Sequence, residues 1–137
     1  MTLENNLESI NYENLLPGDT ISKRSYMIDQ QIVNDYLSAT QDNNSKKLTT
    51  TIPSMIIAAL GLRGIVNDLK IPGGTLHVGQ EINFTRSVLI GETLKCEAHL
   101  LSNTIRKGWR FMSVSIEVIN QNNDLVMEGK SSIMLPA

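Results

Sequence analysis

The sequence predicts an α+β protein in which a curled antiparallel sheet of about five strands wraps one long buried helix. Three observations carry that expectation. The stretch from Pro53 to Leu69 is apolar on every side, with Arg63 the single charge between Met55 and Val66, and a helix without a polar face must be enclosed. After Gly74 the pattern changes from helical spacing to alternation of apolar and polar residues, the mark of strands with one wet face. Finally, 137 residues suit one core rather than two.

The elements follow in order. Residues 1–14 are rich in Asn and Glu with few apolar anchors, and read as a loose or weakly docked arm, leaving 15–137 as a single domain. Leu16-Pro17-Gly18-Asp19 is a turn signal, after which Thr20 to Ile28 reads as a strand. Asp29 is placed to cap a short helix over Gln30–Thr40, with Ile32, Val33, Tyr36 and Leu37 at helical spacing. The polar run from Gln41 to Thr51 is a loop. Pro53 suits the start of the central helix, where its missing N–H costs nothing, and 17 residues give a length of roughly 25 Å.

Ile71-Pro72-Gly73-Gly74 ends that helix. Leu76, Val78, Ile82 and Phe84 then fall on one face of a strand, with His77, Glu81, Asn83 and Thr85 on the other. Leu94, Cys96, Ala98 and Leu100 alternate with Lys95, Glu97 and His99. Met112, Val114, Ile116 and Val118 alternate with Ser113, Ser115 and Glu117, and Leu125 to Leu135 gives a last strand. Ile90-Gly91-Glu92, Arg106-Lys107-Gly108 and Asn120 to Asp124 supply the turns. Strand, short helix, loop, long apolar helix and four antiparallel strands together describe the hotdog architecture. One such sheet leaves part of the helix and an edge strand uncovered, so a dimer is expected.

Composition narrows the function. A net charge of −2 and a pI near 5.6, with Lys and Arg scattered, argue against nucleic acid or an anionic membrane as partner. The central helix is just short of a membrane span, and Gly61, Arg63 and Gly64 interrupt it. Cys96 is alone, so neither an intrachain disulfide nor a cysteine metal cluster can form; no metal or cofactor is expected. A buried strand thiol and a polar, acidic N-terminus without targeting character fit a cytoplasmic protein.

Leu76-His77-Val78-Gly79-Gln80-Glu81-Ile82-Asn83-Phe84-Thr85-Arg86-Ser87-Val88-Leu89-Ile90-Gly91-Glu92-Thr93-Leu94 resembles a strand–turn–strand segment of the MaoC-like dehydratases, the family of (R)-specific enoyl-CoA hydratases and 3-hydroxyacyl thioester dehydratases. Ser87 stands where Pro is usual and Glu92 where Asp is usual. Leu16 to Asp19, Val33 to Asp42, Ile52 to Met55 and Gly129 to Ser132 resemble further segments, so the likeness runs from about residue 15 to the end. It implies a lyase acting on an acyl-CoA or acyl-carrier-protein thioester in fatty acid metabolism. The implied assembly is a homodimer, or a heterodimer with a related hotdog subunit.

The family's catalytic motif is an aromatic residue, a small residue, Gly-Asp-x-Asn-Pro, an aliphatic residue and His. Tyr36, Asp42 and Asn44 match the aromatic, the Asp and the Asn. Gln41 replaces the Gly, Ser45 the Pro, and the His position falls in Lys46-Lys47-Leu48. The resemblance therefore implies Asp42 and Asn44 as catalytic residues but no histidine beside them, and hydratase activity that is weak or absent in this chain alone. The N–H groups of Ser54 and Met55 would hold the thioester carbonyl, and Tyr36, Met55, Ala58 and His77 would contact substrate. Two other readings stay open. One is a non-catalytic subunit that binds an acyl chain or completes a dimer. The other is a hotdog thioesterase, for which the central helix offers only Asp68 at its far end.

Overall fold

The computed structural model describes residues 10–40 and 51–137. Its elements are a 3-10 turn at Tyr12–Asn14, β1 (Thr20–Met27), α1 (Gln30–Thr40), α2 (Ser54–Asp68), β2 (Leu76–Phe84), β3 (Thr93–Arg106), β4 (Trp109–Ile119) and β5 (Leu125–Pro136). The strands make one antiparallel sheet in the order β1-β3-β4-β5-β2. Asp29 caps α1 as expected, its carboxylate accepting from the Ile32 N–H at 2.9 Å. Pro53 is the cap of α2 rather than its first residue, with an extended ψ of 133°.

Alternation along β3, β4 and β5 puts Leu94, Cys96, Leu100, Val114, Ile116, Val118, Met127 and Leu135 on the face that covers α2. The helix meets them with Ile56, Ile57, Ala58, Leu60 and Ile65, each at most 2% exposed. Glycine brings the layers together. A Cβ on Gly61 would stand 3.1 Å from Ile116 Cγ2, and one on Gly64 would stand 2.5 Å from Ser22 Oγ. The helix is not enclosed all round, however. Met55, Ala59 and Val66 form an exposed stripe that this sheet does not reach.

Three features depart from a reading based on alternation. First, the turn at Ile90-Gly91-Glu92 does not join neighbours: β2 and β3 are consecutive in sequence but separated by two strands. Residues 85–92 instead cross the sheet past the start of α2, where the Ile52 N–H donates to the Val88 carbonyl at 2.9 Å. Second, β2 carries a bulge between His77 and Gly79, so His77 pairs with Ile133 but Gly79, two residues on, pairs with the adjacent Ser132. The extra residue turns His77 onto the concave face shared by Gln80, Ile82 and Phe84, away from Glu81 and Asn83. Third, Tyr12, within the stretch read as a loose or weakly docked arm, packs on the end of α2. Its hydroxyl donates to the Leu69 and Lys70 carbonyls at 2.9 and 3.1 Å, covering the end of α2.

Strand β2 is one of the two edges of the sheet, β1 being the other, and every residue of β2 except the half-buried Ile82 is exposed. It leans over Gly129 of β5 so closely that a Cβ there would collide with the Glu81 carbonyl oxygen.

Candidate functional site

The start of α2 is held from outside the helix. Ile52 is bonded to Val88, and Thr51 bridges to Leu89, so the incoming strand fixes where the first turn begins. A proline cap has no side-chain oxygen to turn back on the helix, and Ile56 donates to the Pro53 carbonyl at 3.1 Å. The N–H groups of Ser54 and Met55 are engaged by no described residue, and both residues are exposed. Two donors at the positive end of a 15-residue helix can hold a carbonyl or carboxylate oxygen.

One turn further on, α1 and α2 enclose a crevice of about 260 Å³ lined by Ile32, Tyr36, Ile56, Ala59 and Leu60. Asp35 and Arg63 flank it. Asp35 is tied on its own helix by Gln31, whose amide donates to it at 2.7 Å. The walls are aliphatic with one phenol, which suits an acyl chain better than a sugar or a nucleotide. The structure thus brings Tyr36 together with the second turn of α2, next to Ser54 and Met55.

Ala58 and His77 lie apart from it. Ala58 is 1% exposed and packs into the core rather than lining the open stripe beside Met55. His77 stands at the start of β2, its Nε2 2.9 Å from Ser131 Oγ. Asp42 and Asn44 lie outside the described residues. His99 is on the convex face of the sheet, 3.7 Å from a Glu97 carboxylate oxygen.

Among the described residues Ser22, Arg110, Asn120 and Ser131 are buried polar residues to which the sequence reading gave no functional role. Ser131 is the partner of His77 and is 3% exposed. It was findable, because Met127, Ser131, Ile133 and Leu135 form one row and only Ser131 is polar. Arg110 is 7% exposed, on the strand β4 that otherwise points Met112, Val114 and Ile116 inward.

Comparison with known proteins places this geometry. The family described as "FAS1-like, dehydratase domain region" matches residues 15–129. The chain belongs to the MaoC-like dehydratase family. The unliganded R-hydratase PhaJ1 from Pseudomonas aeruginosa is similar over 93% of this chain and 86% of that one, with 27% identity and a TM-score of 0.78. The (R)-hydratase from A. caviae involved in PHA biosynthesis is similar over 90% and 99%, with 18% identity and a TM-score of 0.73. The C-terminally truncated HadBC (3R-hydroxyacyl-ACP dehydratase) complex from Mycobacterium tuberculosis is similar over 86% and 96%, with 17% identity and a TM-score of 0.68. No curated protein sequence matches.

The hotdog expectation for the fold is met. As in other MaoC-like dehydratases, one sheet curls around the central helix, and here the order β1-β3-β4-β5-β2 leaves β2 at the rim. Among the described residues no helix is long and apolar enough to cross a membrane.

Proposed function

We propose that this MaoC-like dehydratase binds an acyl-CoA or acyl-carrier-protein thioester at the start of α2 and has little hydratase activity as a single chain. The observation that carries the reading is the pair of N–H groups on Ser54 and Met55 that no described residue engages, beside an aliphatic crevice. A thioester carbonyl seated there would have its oxygen polarised, which draws electron density from the conjugated double bond. Water could then add at the β carbon while the α carbon takes a proton, and the reverse sequence expels water. Such stabilisation of a developing oxyanion is the larger part of this chemistry and needs only backbone.

The proton transfers need side chains. The chain has two histidines, and both are strand residues with partners: His77 with Ser131, His99 beside Glu97. Asp42 is therefore the one base the family motif supplies, without a group of near-neutral pKa to share the work. A partner that provides Asp and His would complete the reaction. Two of the structural neighbours, HadBC and ChsH1–ChsH2 from Mycobacterium tuberculosis, are complexes.

The test is hydration of crotonyl-CoA and longer enoyl-CoAs by the purified chain. We expect binding with slow or no turnover, and turnover on co-expression with a hotdog neighbour that carries Asp and His. Fast turnover by the chain alone, abolished by Asp42→Asn, would overturn the partner-dependent reading. No binding of any enoyl-CoA would overturn the thioester site itself.

The same proposal includes a dimer in solution. The open edge of β2 and the Met55, Ala59 and Val66 stripe lie on the side the sheet leaves uncovered, where a second hotdog subunit would extend the sheet and close over the helix. Phe84 is already 39% exposed in the single chain. Phe84→Lys should therefore leave the fold intact and convert a dimer to monomer in size-exclusion chromatography with light scattering. A wild-type monomer at high concentration would sink this part.

A further inference from the structure

The two edges of the sheet are built differently. β1 carries the exposed Lys23 and breaks register between Thr20 and Ser22, two devices that blunt an edge against further pairing. β2 has nine residues with no lysine, arginine or proline, and Glu81 is its one carboxylate. Its bulge lies near its start, and from Gly79 to Phe84 it runs in unbroken register. Leu76, Val78 and Phe84 are large apolar residues left exposed along it. A long, regular, apolar edge of this kind is a template for another strand.

The residues of β2 also select the strand that fits. In an antiparallel pair, directly opposite residues share a face of the sheet. Two copies of β2 related by a two-fold axis can therefore meet only with the axis on a residue, never between two. An axis at Glu81 would set two carboxylates against each other, which is destabilising. An axis at Gln80, the middle of the strand, pairs its whole length and brings two neutral amides together. Glu81 then lies opposite Gly79 of the other copy, which has no side chain to oppose it. Past the bulge, Ile82 comes opposite His77, and both stand on the concave face.

We propose that a second copy of this chain pairs with β2 about a two-fold axis at Gln80, so that each copy lays its His77 beside Ile82 of the other. This rests on the dimer proposed above and goes beyond it, by making the chain its own partner and fixing the register. The consequence is an exchange of imidazoles. His77 keeps its bond to the buried Ser131 through Nε2, and its other ring nitrogen, which no described residue engages, comes to the seam. In its own chain His77 stands at the far end of β2 from Phe84. The axis carries the second copy's His77 towards the Phe84 end, from which residues 85–92 run past the start of α2.

The experiment is cysteine cross-linking in the full chain, whose own Cys96 is buried. Gln80→Cys should oxidise to a covalent dimer, because Cβ atoms directly opposite lie about 5 Å apart. Asn83→Cys, three residues to either side of the axis and so about 20 Å from its copy, should not. Co-expressed His77→Cys and Ile82→Cys chains should form a mixed covalent dimer that neither forms alone. Circular dichroism checks that each variant is folded, and should Ile82→Cys not fold, Gln80 against Asn83 decides the register. A sedimenting dimer that cross-links at Asn83 as readily as at Gln80, or at neither, would overturn the register. Folded His77→Cys and Ile82→Cys chains that give no mixed dimer would do the same. A chain that stays monomeric and pairs only with a different hotdog subunit would overturn the choice of partner. Enoyl-CoA binding enters none of these readouts, so failure of the thioester site is seen separately.

Discussion

Arg24 grips Asp68 with two prongs, Nη2 to Oδ1 at 2.6 Å and Nε to Oδ2 at 3.1 Å, and the Ser22 hydroxyl adds a third hydrogen bond to Oδ2 at 2.6 Å. The contact joins the last turn of α2 to β1. An acidic residue at a helix C-terminus opposes the helix dipole, so Asp68 needs this cation. The hydrogen bonds from Arg24, seconded by Ser22, hold the Asp68 carboxyl below the usual carboxylate range against the opposing effect of burial.

Asp68→Asn should therefore lower Tm by a few degrees at neutral pH. The sign follows from the lowered folded-state pKa: the stabilisation is full above the unfolded pKa and is lost as pH falls through the folded one. The Tm gap between wild type and variant should stay constant above about pH 5 and close below about pH 4. A gap that persists to lower pH would mean that packing, not charge, is responsible. Because both side chains are about a third exposed (37% and 29%), the gap should also shrink in high salt.

Gly64 lies under the same clamp. Gly→Ala in a helix ordinarily gains up to about 1 kcal/mol. Here a Cβ would stand 2.5 Å from Ser22 Oγ, and we expect Gly64→Ala to lose about 1–3 kcal/mol as an overpacked site. Adding Ser22→Ala should recover part of that loss. Urea midpoints of the three variants measure it, and a stabilised Gly64→Ala would show that the layers can separate at no cost.

Tyr26 lies next along this face of β1; its buried hydroxyl has no partner at good hydrogen-bonding geometry among the described residues, although the Arg24 guanidinium lies near enough to interact with it weakly. Tyr26→Phe should raise stability by about 1 kcal/mol, because an unsatisfied buried hydroxyl is removed and the ring stays. A loss of that size would reveal a partner for the hydroxyl.

Cys96 is buried on β3, and desolvation pushes its thiol up to about 12. The thiolate is the reactive form. At pH 8 the folded protein should resist a disulfide reagent that labels it at once in urea. Rapid labelling with native circular dichroism would show that β3 opens locally.

Ser54→Glu separates helix stability from ligand binding. A carboxylate in the first turn should stabilise α2 by about 0.3–1 kcal/mol through the dipole. The same group would compete for the N–H donors, and enoyl-CoA binding should weaken about tenfold, roughly 1.4 kcal/mol. Unchanged binding in a stabilised variant would remove the helix terminus from the site.

The sequence by itself determined the elements. Cap chemistry at Asp29, the apolar run from Met55 to Val66 and the alternation from Leu94 to Leu135 are local signals, and the helices and strands follow them to within one residue at most ends. The resemblance to the family motif at Tyr36, Asp42 and Asn44 is a matter of sequence alone, since Asp42 and Asn44 lie outside the described residues. Tertiary structure alone decided which face His77 occupies, since a single bulged residue reverses a period of two and alternation carries no mark of it. It also decided that β2 leaves β3 for the far edge, because strand order depends on which apolar faces meet around the helix. The burial of Arg110 depends on Asn103 and Tyr12, far from it in sequence, and the open donors of Ser54 depend on how Val88 and Leu89 seat the strand before them. Local residues specify periods and caps; which polar groups are left without partners is a property of the packed whole.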